Sequence, residues 1–397
     1  MPSPSEFVFG SWRAVSVLGV TQILSWGALF YPPVLTVPLI ATDHGWSRSF
    51  TMAGFSVGLF VGGLCSRYTG GAIDRFGGHV VMPVGSLLGA LGLAGLVWAP
   101  GAVSYFASWI TIGAAMAASL YDPAFATLGR IFGGAARAPI TTLTLAGGFA
   151  STVSWPVTQI LLDAVGWRAT YLIYAALLAG VAAPLHALAL PREPADGAPR
   201  SQTASDRAAK SYVPSHGFAF VLVAAGFASY AFVPSALSAQ LLAIFHRFGL
   251  ESATVVIIGM LFGPAQVLAR VCELSFARRL HPLWVARFAV GLLVAAFVLL
   301  ALFRFSALLA AIFAVFYGMA NGLLTIARGT VPLALFGAAG YGRLVGRIGG
   351  PFLVVQSVAP VVLTYVSDRI SDAVGLTLVA TFAAVAFVCF ALIRKPD

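Results

Sequence analysis

Gly70-Gly71-Ala72-Ile73-Asp74-Arg75-Phe76-Gly77-Gly78-His79 is a short stretch dense in glycine and charge, set between two long apolar runs. Glycine suits places where the backbone takes positive φ or lies directly against another helix. Asp74 and Arg75 supply charges that can pair or cap a helix end. The stretch therefore reads as a tight cytoplasmic turn between two membrane helices.

The composition around this turn is that of a polytopic membrane protein. Hydrophobic residues make up 59% of the 397 and charged residues 9%, with a mean hydropathy of +0.93. A soluble domain has roughly 45–50% apolar and about 25% charged residues. A bilayer crossing needs about 20 consecutive apolar residues. Twelve such runs are present, at 14–40, 50–69, 80–99, 104–131, 140–163, 169–190, 217–244, 253–277, 284–303, 306–327, 345–366 and 372–393. The segment from Pro191 to Pro214 is different in kind, because Arg192, Glu193, Asp196, Arg200, Asp206, Arg207 and Lys210 stand there among proline, serine and alanine. It reads as a solvated linker. The expected fold is an all-α membrane protein of twelve transmembrane helices in two pseudo-symmetric six-helix bundles. The N-terminal bundle covers 1–190, a cytoplasmic linker 191–215 and the C-terminal bundle 216–397.

A net charge of +10 does not indicate nucleic acid, since the basic residues sit in loops and form no stripe with interleaved aromatics. With the N-terminus in the cytoplasm, 18 of the 23 Lys and Arg residues fall in or near cytoplasmic segments, and only 48, 168, 247, 304 and 369 lie on the other side. The positive-inside rule thus places both termini in the cytoplasm of a multi-pass inner (plasma) membrane protein. Met1 to Trp12 has no basic cluster leading into a short apolar core and a small-residue cleavage site, so the first helix is expected to be retained. Cys65, Cys272 and Cys389 lie inside apolar runs without CxxC spacing, and neither disulfide nor zinc site is expected.

The two halves echo one another. Ser66-Arg67 with Arg75 and Ala269-Arg270 with Arg278 match at an offset of 203 residues, and Gly147-Gly148 with Pro156 is matched by Gly349-Gly350 with Pro360. Transporters built from related halves bind their cargo near the bilayer midplane. The spacing of Gly70, Asp74-Arg75 and Gly77, between the second and third spans, resembles the loop signature of the major facilitator superfamily. Arg130-Ile131-Phe132-Gly133-Gly134-Ala135-Ala136-Arg137-Ala138, followed by Leu145-Ala146-Gly147-Gly148-Phe149-Ala150-Ser151, is similar to the fourth-to-fifth helix junction of the monocarboxylate porters and the oxalate/formate antiporter group. In those porters an arginine on the eighth helix holds the substrate carboxylate, and an aspartate one turn before it takes part in proton coupling. Arg270 stands at the arginine's place and Gln266 at the aspartate's, so the resemblance implies anion binding at Arg270 and carries no coupling role to Gln266. The first span has Ser25-Trp26-Gly27 and Tyr31-Pro32-Pro33 but lacks the family's acidic entry motif. The fifth span lacks the Gly-Pro, Gly-Gly order of drug/proton antiporters. The resemblance also implies a gate built on Gly70, Asp74, Arg75 and Gly77, in which Asp74 meets the start of the eleventh span and stabilises the outward-open state. Arg130, Arg343 and Arg347 are its local partners, and the C-terminal counterpart of Asp74 is Ala277.

A charge within a span costs at least about 2.5–3.5 kcal/mol, so it is paired, snorkelled or functional. Arg270 lies three residues before Glu273, close enough to share a helix face. Substrate or coupling roles for both stand beside a structural reading in which they pack near the cytoplasmic end. Asp122, followed by Pro123, is a candidate titrating group, and a structural pair with Arg130 is equally open. Counted from Gly113 and Gly318, Asp122 and Arg328 hold nearly equivalent places in the fourth and tenth spans. Gln22, Trp26, Tyr31, Tyr121, Asn321 and Gln356 as a set suit a small polar ligand with an apolar part. No nucleophile–base pair, phosphate loop or Walker pattern appears, so neither an enzyme nor an ATP-driven pump is indicated and no cofactor or metal is expected.

The sequence thus describes a secondary active transporter of a small organic anion, with a monocarboxylate as first choice, working as a monomer by alternating access. A proton or counter-anion is the expected coupling species. The alternative is proton-driven efflux of a drug or metalloid-type toxicant. A third class, a non-transporting receptor that keeps the fold, is disfavoured by the intramembrane charges.

Overall fold

The computed structural model describes residue 6 and residues 10–192, 217–276, 280–302 and 306–394. Most of the expected linker, and Ala277 and Arg278, therefore lie outside the described residues. Among those described, eleven helical runs are long and apolar enough to cross a membrane. One of them, residues 137–189, contains Gly166 at φ 75° and ψ 170°, a non-helical conformation that divides it into two spans and gives the twelve read from the sequence.

The chain forms two compact units, Met1–Val213 with Phe336–Gly350, and Pro214–Leu335 with Pro351–Asp397. In the first unit, α1 (Arg13–Leu29) and α2 (Pro33–His44) make one span bent at Tyr31-Pro32. The amides of Phe30 and Tyr31 both donate to the Trp26 carbonyl at 3.1 Å, and α2 resumes on proline, whose missing N–H is harmless in a first turn. The second span, α3 (Arg48–Phe76), is capped by Ser47, whose Oγ accepts from the Phe50 amide at 3.1 Å. It ends at Gly77, where φ is +85° and α4 (Gly78–Val97) begins. The fourth span is broken at Leu120 into α5 (Ala102–Ser119) and α6 (Tyr121–Phe132). The fifth and sixth comprise α7 (Arg137–Gly147), α8 (Ala150–Leu177) and two wider π turns at Leu178–Ala182 and Leu185–Ala189. His79 is helical, and His186 lies in the second π turn, its Nδ1 3.1 Å from Ser86 Oγ.

The second unit has α9 (Gly217–Arg247), then α10 (Ser252–Met260) and α11 (Phe262–Ser275) as one span broken at Leu261. It continues with α12 (Pro282–Leu302), α13 (Ala307–Phe336) and α15 (Asp372–Leu392). The helix α14 (Tyr341–Arg369) contributes its first turns to the first unit and its remainder to the second.

Each unit ties its first span to its last with one ion pair. Asp43 Oδ2 accepts from Arg168 Nη1 at 2.6 Å and from Trp167 Nε1 at 2.7 Å. Arg247 donates to both oxygens of Asp372, at 2.6 and 2.8 Å. Both pairs have a sequence separation of 125. Positions 43 and 168 become 247 and 372 on adding 204, with the signs exchanged. Such exposed pairs contribute at most about 1 kcal/mol. Their recurrence in place supports a duplicated architecture better than any single sequence match does.

Candidate transport site and gate

The glycines of the opening stretch make a seam. Cβ atoms built on Gly342, Gly346 and Gly350 would meet, in turn, the Asp74 carboxylate, the Ser66 carbonyl and the Gly63 carbonyl of α3, and one on Gly70 would meet the Gly342 carbonyl. Small residues at four-residue spacing on both helices let the backbones touch. At the end of the seam Asp74 caps α14: Oδ1 accepts from the Gly342 amide at 2.8 Å and Oδ2 from the Arg343 amide at 2.7 Å. These are first-turn donors with no partner inside their own helix, and a carboxylate there also meets the positive end of the dipole. Arg130 does the reverse for α3. Its Nη1 donates to the carbonyls of Ile73, at 3.2 Å, and Asp74, at the C-terminal end of that helix. Arg75 lies over the Phe76 ring at 4.8 Å and is exposed, as is Arg343, whereas Arg347 is half-buried one turn along α14.

Asp122 belongs to the same seam. It is 8% exposed, and a Cβ on Gly349 of α14 would meet its carboxylate. Pro123 interrupts the helix just before Asp122, not at it. The break falls at Leu120, whose extended ψ of −154° lets α6 restart with Pro123 in its first turn. The carbonyl that Pro123 cannot serve is that of Ser119, four residues back. Gln22 Nε2 serves it at 2.7 Å, and Gln22 Oε1 accepts from Trp26 Nε1 at 3.1 Å. Gln22 is fully buried, so Gln22→Leu strands the Ser119 carbonyl and is expected to destabilise the protein by about 1–3 kcal/mol, read as a fall in thermal midpoint.

Trp26 in turn packs on Tyr121, Tyr31 and Phe30, with ring centroids at 5.1, 6.0 and 4.8 Å. Four predicted site residues of the first unit, Gln22, Trp26, Tyr31 and Tyr121, are thus brought together.

In the second unit Arg270 is 4% and Glu273 3% exposed. Arg270 Nε donates to the Gly322 carbonyl at 3.5 Å, and Nη2 to Gln266 Oε1 at 3.4 Å. Gly322 lies halfway along the 30-residue α13, which puts this guanidinium deep in the span and away from its end. Asn321, the preceding residue, accepts through Oδ1 from the Tyr230 hydroxyl. Tyr230 is close enough to both Arg270 and Arg328 to feel their charges. The Arg328 guanidinium lies 3.7 Å from the centroid of the Phe352 ring, a cation–π contact. Gln356 lies one turn beyond Phe352. Its carbonyl, left without an amide partner by Pro360, accepts from Ser235 Oγ at 2.7 Å.

Sequence reasoning missed Tyr230 and Ser235, single polar residues in an apolar run. For Ser235 a signal existed: a proline at i+4 always frees carbonyl i. Among the described residues no cluster of three His, Cys, Asp or Glu could hold a metal.

Twelve apolar spans, a glycine seam capped by Asp74 and buried charges inside the spans define a polytopic transport protein. The sequence profile of the Major Facilitator Superfamily matches residues 15–350, and the chain belongs to that superfamily. Among solved structures it is similar to the human organic anion transporter MFSD10 (TETRAN), at 18% identity over 97% of this chain and 99% of that one, with a TM-score of 0.71. It is similar too to the proton:xylose symporter XylE, at 12% identity over 97% and 95% with a TM-score of 0.72, and to the transporter FucP in its outward conformation, at 12% over 96% and 99% with a TM-score of 0.70. No curated protein matches it in sequence.

Proposed function

We propose that this superfamily member is a secondary active transporter of a small organic anion, a monocarboxylate first, working by alternating access in the plasma membrane with both termini cytoplasmic. The observation that carries the reading is Arg270: an arginine buried beside Gly322 in mid-helix, with Tyr230 close enough to feel its charge, in a span where a buried charge serves either structure or function. One of the structural neighbours is an organic anion transporter and another a xylose symporter. Their shared fold leaves the cargo open, so the choice rests on the charges. In the proposal Arg270 holds the carboxylate, and the Asp74 seam is the cytoplasmic gate. Glu273, Asp122 and Arg328 are the candidate coupling charges.

Buried Asp122 on the seam keeps proton-driven efflux of a drug or metalloid-type toxicant as a second reading. A thermal-shift screen of the purified protein against carboxylates and cationic drugs separates the two, because a native-state ligand stabilises by RT ln(1 + [L]/Kd). Stabilisation by millimolar short-chain carboxylates, about 2.7 kcal/mol at a hundredfold excess over Kd, is the expected result. Stabilisation by drugs alone sinks the anion reading.

A further inference from the structure

Within the first unit, the turn between α3 and α4 borders a recess lined by Gly77, His79, Thr127, Arg130, Ile131 and Arg192. Three basic side chains meet there from three places in the chain: the first turn of α4, the last turn of α6 and the residues just past the sixth span. Gly77 keeps the space between two of them open. A Cβ built on it would lie 2.8 Å from His79 Nδ1 and 3.6 Å from Arg130 Nε. The ring and the guanidinium thus border the same small volume, and an oxygen entering it meets two N–H donors when Nδ1 carries the proton.

Arg130 and Arg192 are each near enough to His79 to act on its charge. Arg130 is fixed at the rim of the recess, because its Nη1 is held on the carbonyls of Ile73 and Asp74. None of the described residues lining the recess is acidic. Asp74, which feels the charge of Arg130, has both oxygens turned to the α14 amides. A basic pocket between the ends of membrane spans suits the phosphate of an anionic headgroup.

A ridge of aliphatic side chains leads away from the recess. Val80, Val84, Leu87 and Leu91 of α4 are 45–64% exposed. Their four- and three-residue spacing makes one face of the helix, starting at the residue after His79. Inorganic phosphate offers the same oxygens to the recess but has no use for this face. The acyl chains of a phospholipid do.

We infer that the recess binds the phosphate of an anionic phospholipid, held by His79, Arg130 and Arg192, with the acyl chains lying along the α4 ridge. The site lies wholly within the first unit and does not depend on the cargo reading. Because Arg130 also holds the last carbonyls of α3, the lipid acts on the same helix end that carries Asp74.

The test follows binding to the purified full chain in a neutral detergent, by native mass spectrometry and thermal midpoint. The probes are phosphatidylglycerol, phosphatidylcholine and inorganic phosphate. Phosphatidylglycerol is expected to bind and to raise the midpoint. Phosphatidylcholine, whose choline cation cancels the phosphate charge, should bind about fivefold more weakly, and millimolar phosphate should leave the midpoint where it was. Arg192→Gln should weaken phosphatidylglycerol about fivefold, the effect of one basic residue beside an anionic lipid. Arg75→Gln removes the same charge close by but outside the recess, and should leave that affinity unchanged. Arg192 is exposed, so its variant is expected to fold, and an unaltered midpoint without lipid checks this. Equal affinity for the two lipids, or an Arg192→Gln variant that binds phosphatidylglycerol as Arg75→Gln does, overturns the site. Stabilisation by inorganic phosphate equal to that by phosphatidylglycerol overturns the lipid assignment.

Discussion

Anion counterflow is expected to vanish in Arg270→Gln while the protein still inserts in the membrane. Glutamine retains an N–H that can reach toward the Gly322 carbonyl but removes the only fixed charge that α11 offers an anion besides the opposing Glu273. A hydrogen bond to a charged group contributes about 1.5–3 kcal/mol, and each 1.4 kcal/mol is about tenfold in affinity. Carboxylate affinity should therefore drop by roughly 10- to 100-fold before any effect on turnover. One complication is specific to this site: Glu273, 3% exposed and three residues on, loses a neighbouring cation. Breaking a buried charge arrangement on one side costs about 3–5 kcal/mol, so part of the loss could be instability. The double variant Arg270→Gln/Glu273→Gln separates these effects. It should recover thermal stability and leave counterflow absent. Counterflow at the wild-type rate in correctly inserted Arg270→Gln would remove Arg270 from the carboxylate contact.

What the sequence made legible follows from how local each signal is. A membrane span is set by a run of apolar residues, so the number of spans and the turn at Gly77 could be read directly. The form of the break between the fifth and sixth runs could not, because Gly166 makes it with one residue's φ of 75° and no intervening loop. The site was half legible. Arg270 and Asp122 stand out because charge in a span is costly. The assignments of Gln22 and Gln356 as cargo contacts rested on polarity alone. The contacts give other uses for part of each: Gln22 serves the carbonyl freed by Pro123, and the Gln356 carbonyl is served by Ser235.

Asp74→Asn is expected to loosen the α3–α14 seam and shift the resting population toward the cytoplasm-open state. Both carboxylate oxygens are engaged, each by a first-turn amide of α14 at 2.7–2.8 Å. Asparagine can accept only one of these bonds, presents an NH2 group to the other amide, and carries no charge to meet the helix dipole. Leaving one such donor unsatisfied costs about 1–3 kcal/mol, which shifts a two-state equilibrium roughly 5- to 150-fold. The readout is the thiol-labelling rate of a cysteine placed at Ser66, 2% exposed beneath the seam, in a background where Cys65, Cys272 and Cys389 are replaced by serine or alanine. If the seam opens and recloses faster than the reagent reacts, the labelling rate follows the open population and should rise by the same factor in Asp74→Asn. Arg75→Gln gives the contrast, because Arg75 lies on the Phe76 ring at the surface and is not one of the side chains seen to bond across the seam among the described residues; its labelling rate should stay near that of the parent. Equal rates in Asp74→Asn and the parent would mean that the seam is held by the close approach of its glycines, and that the carboxylate orients α14 without gating it.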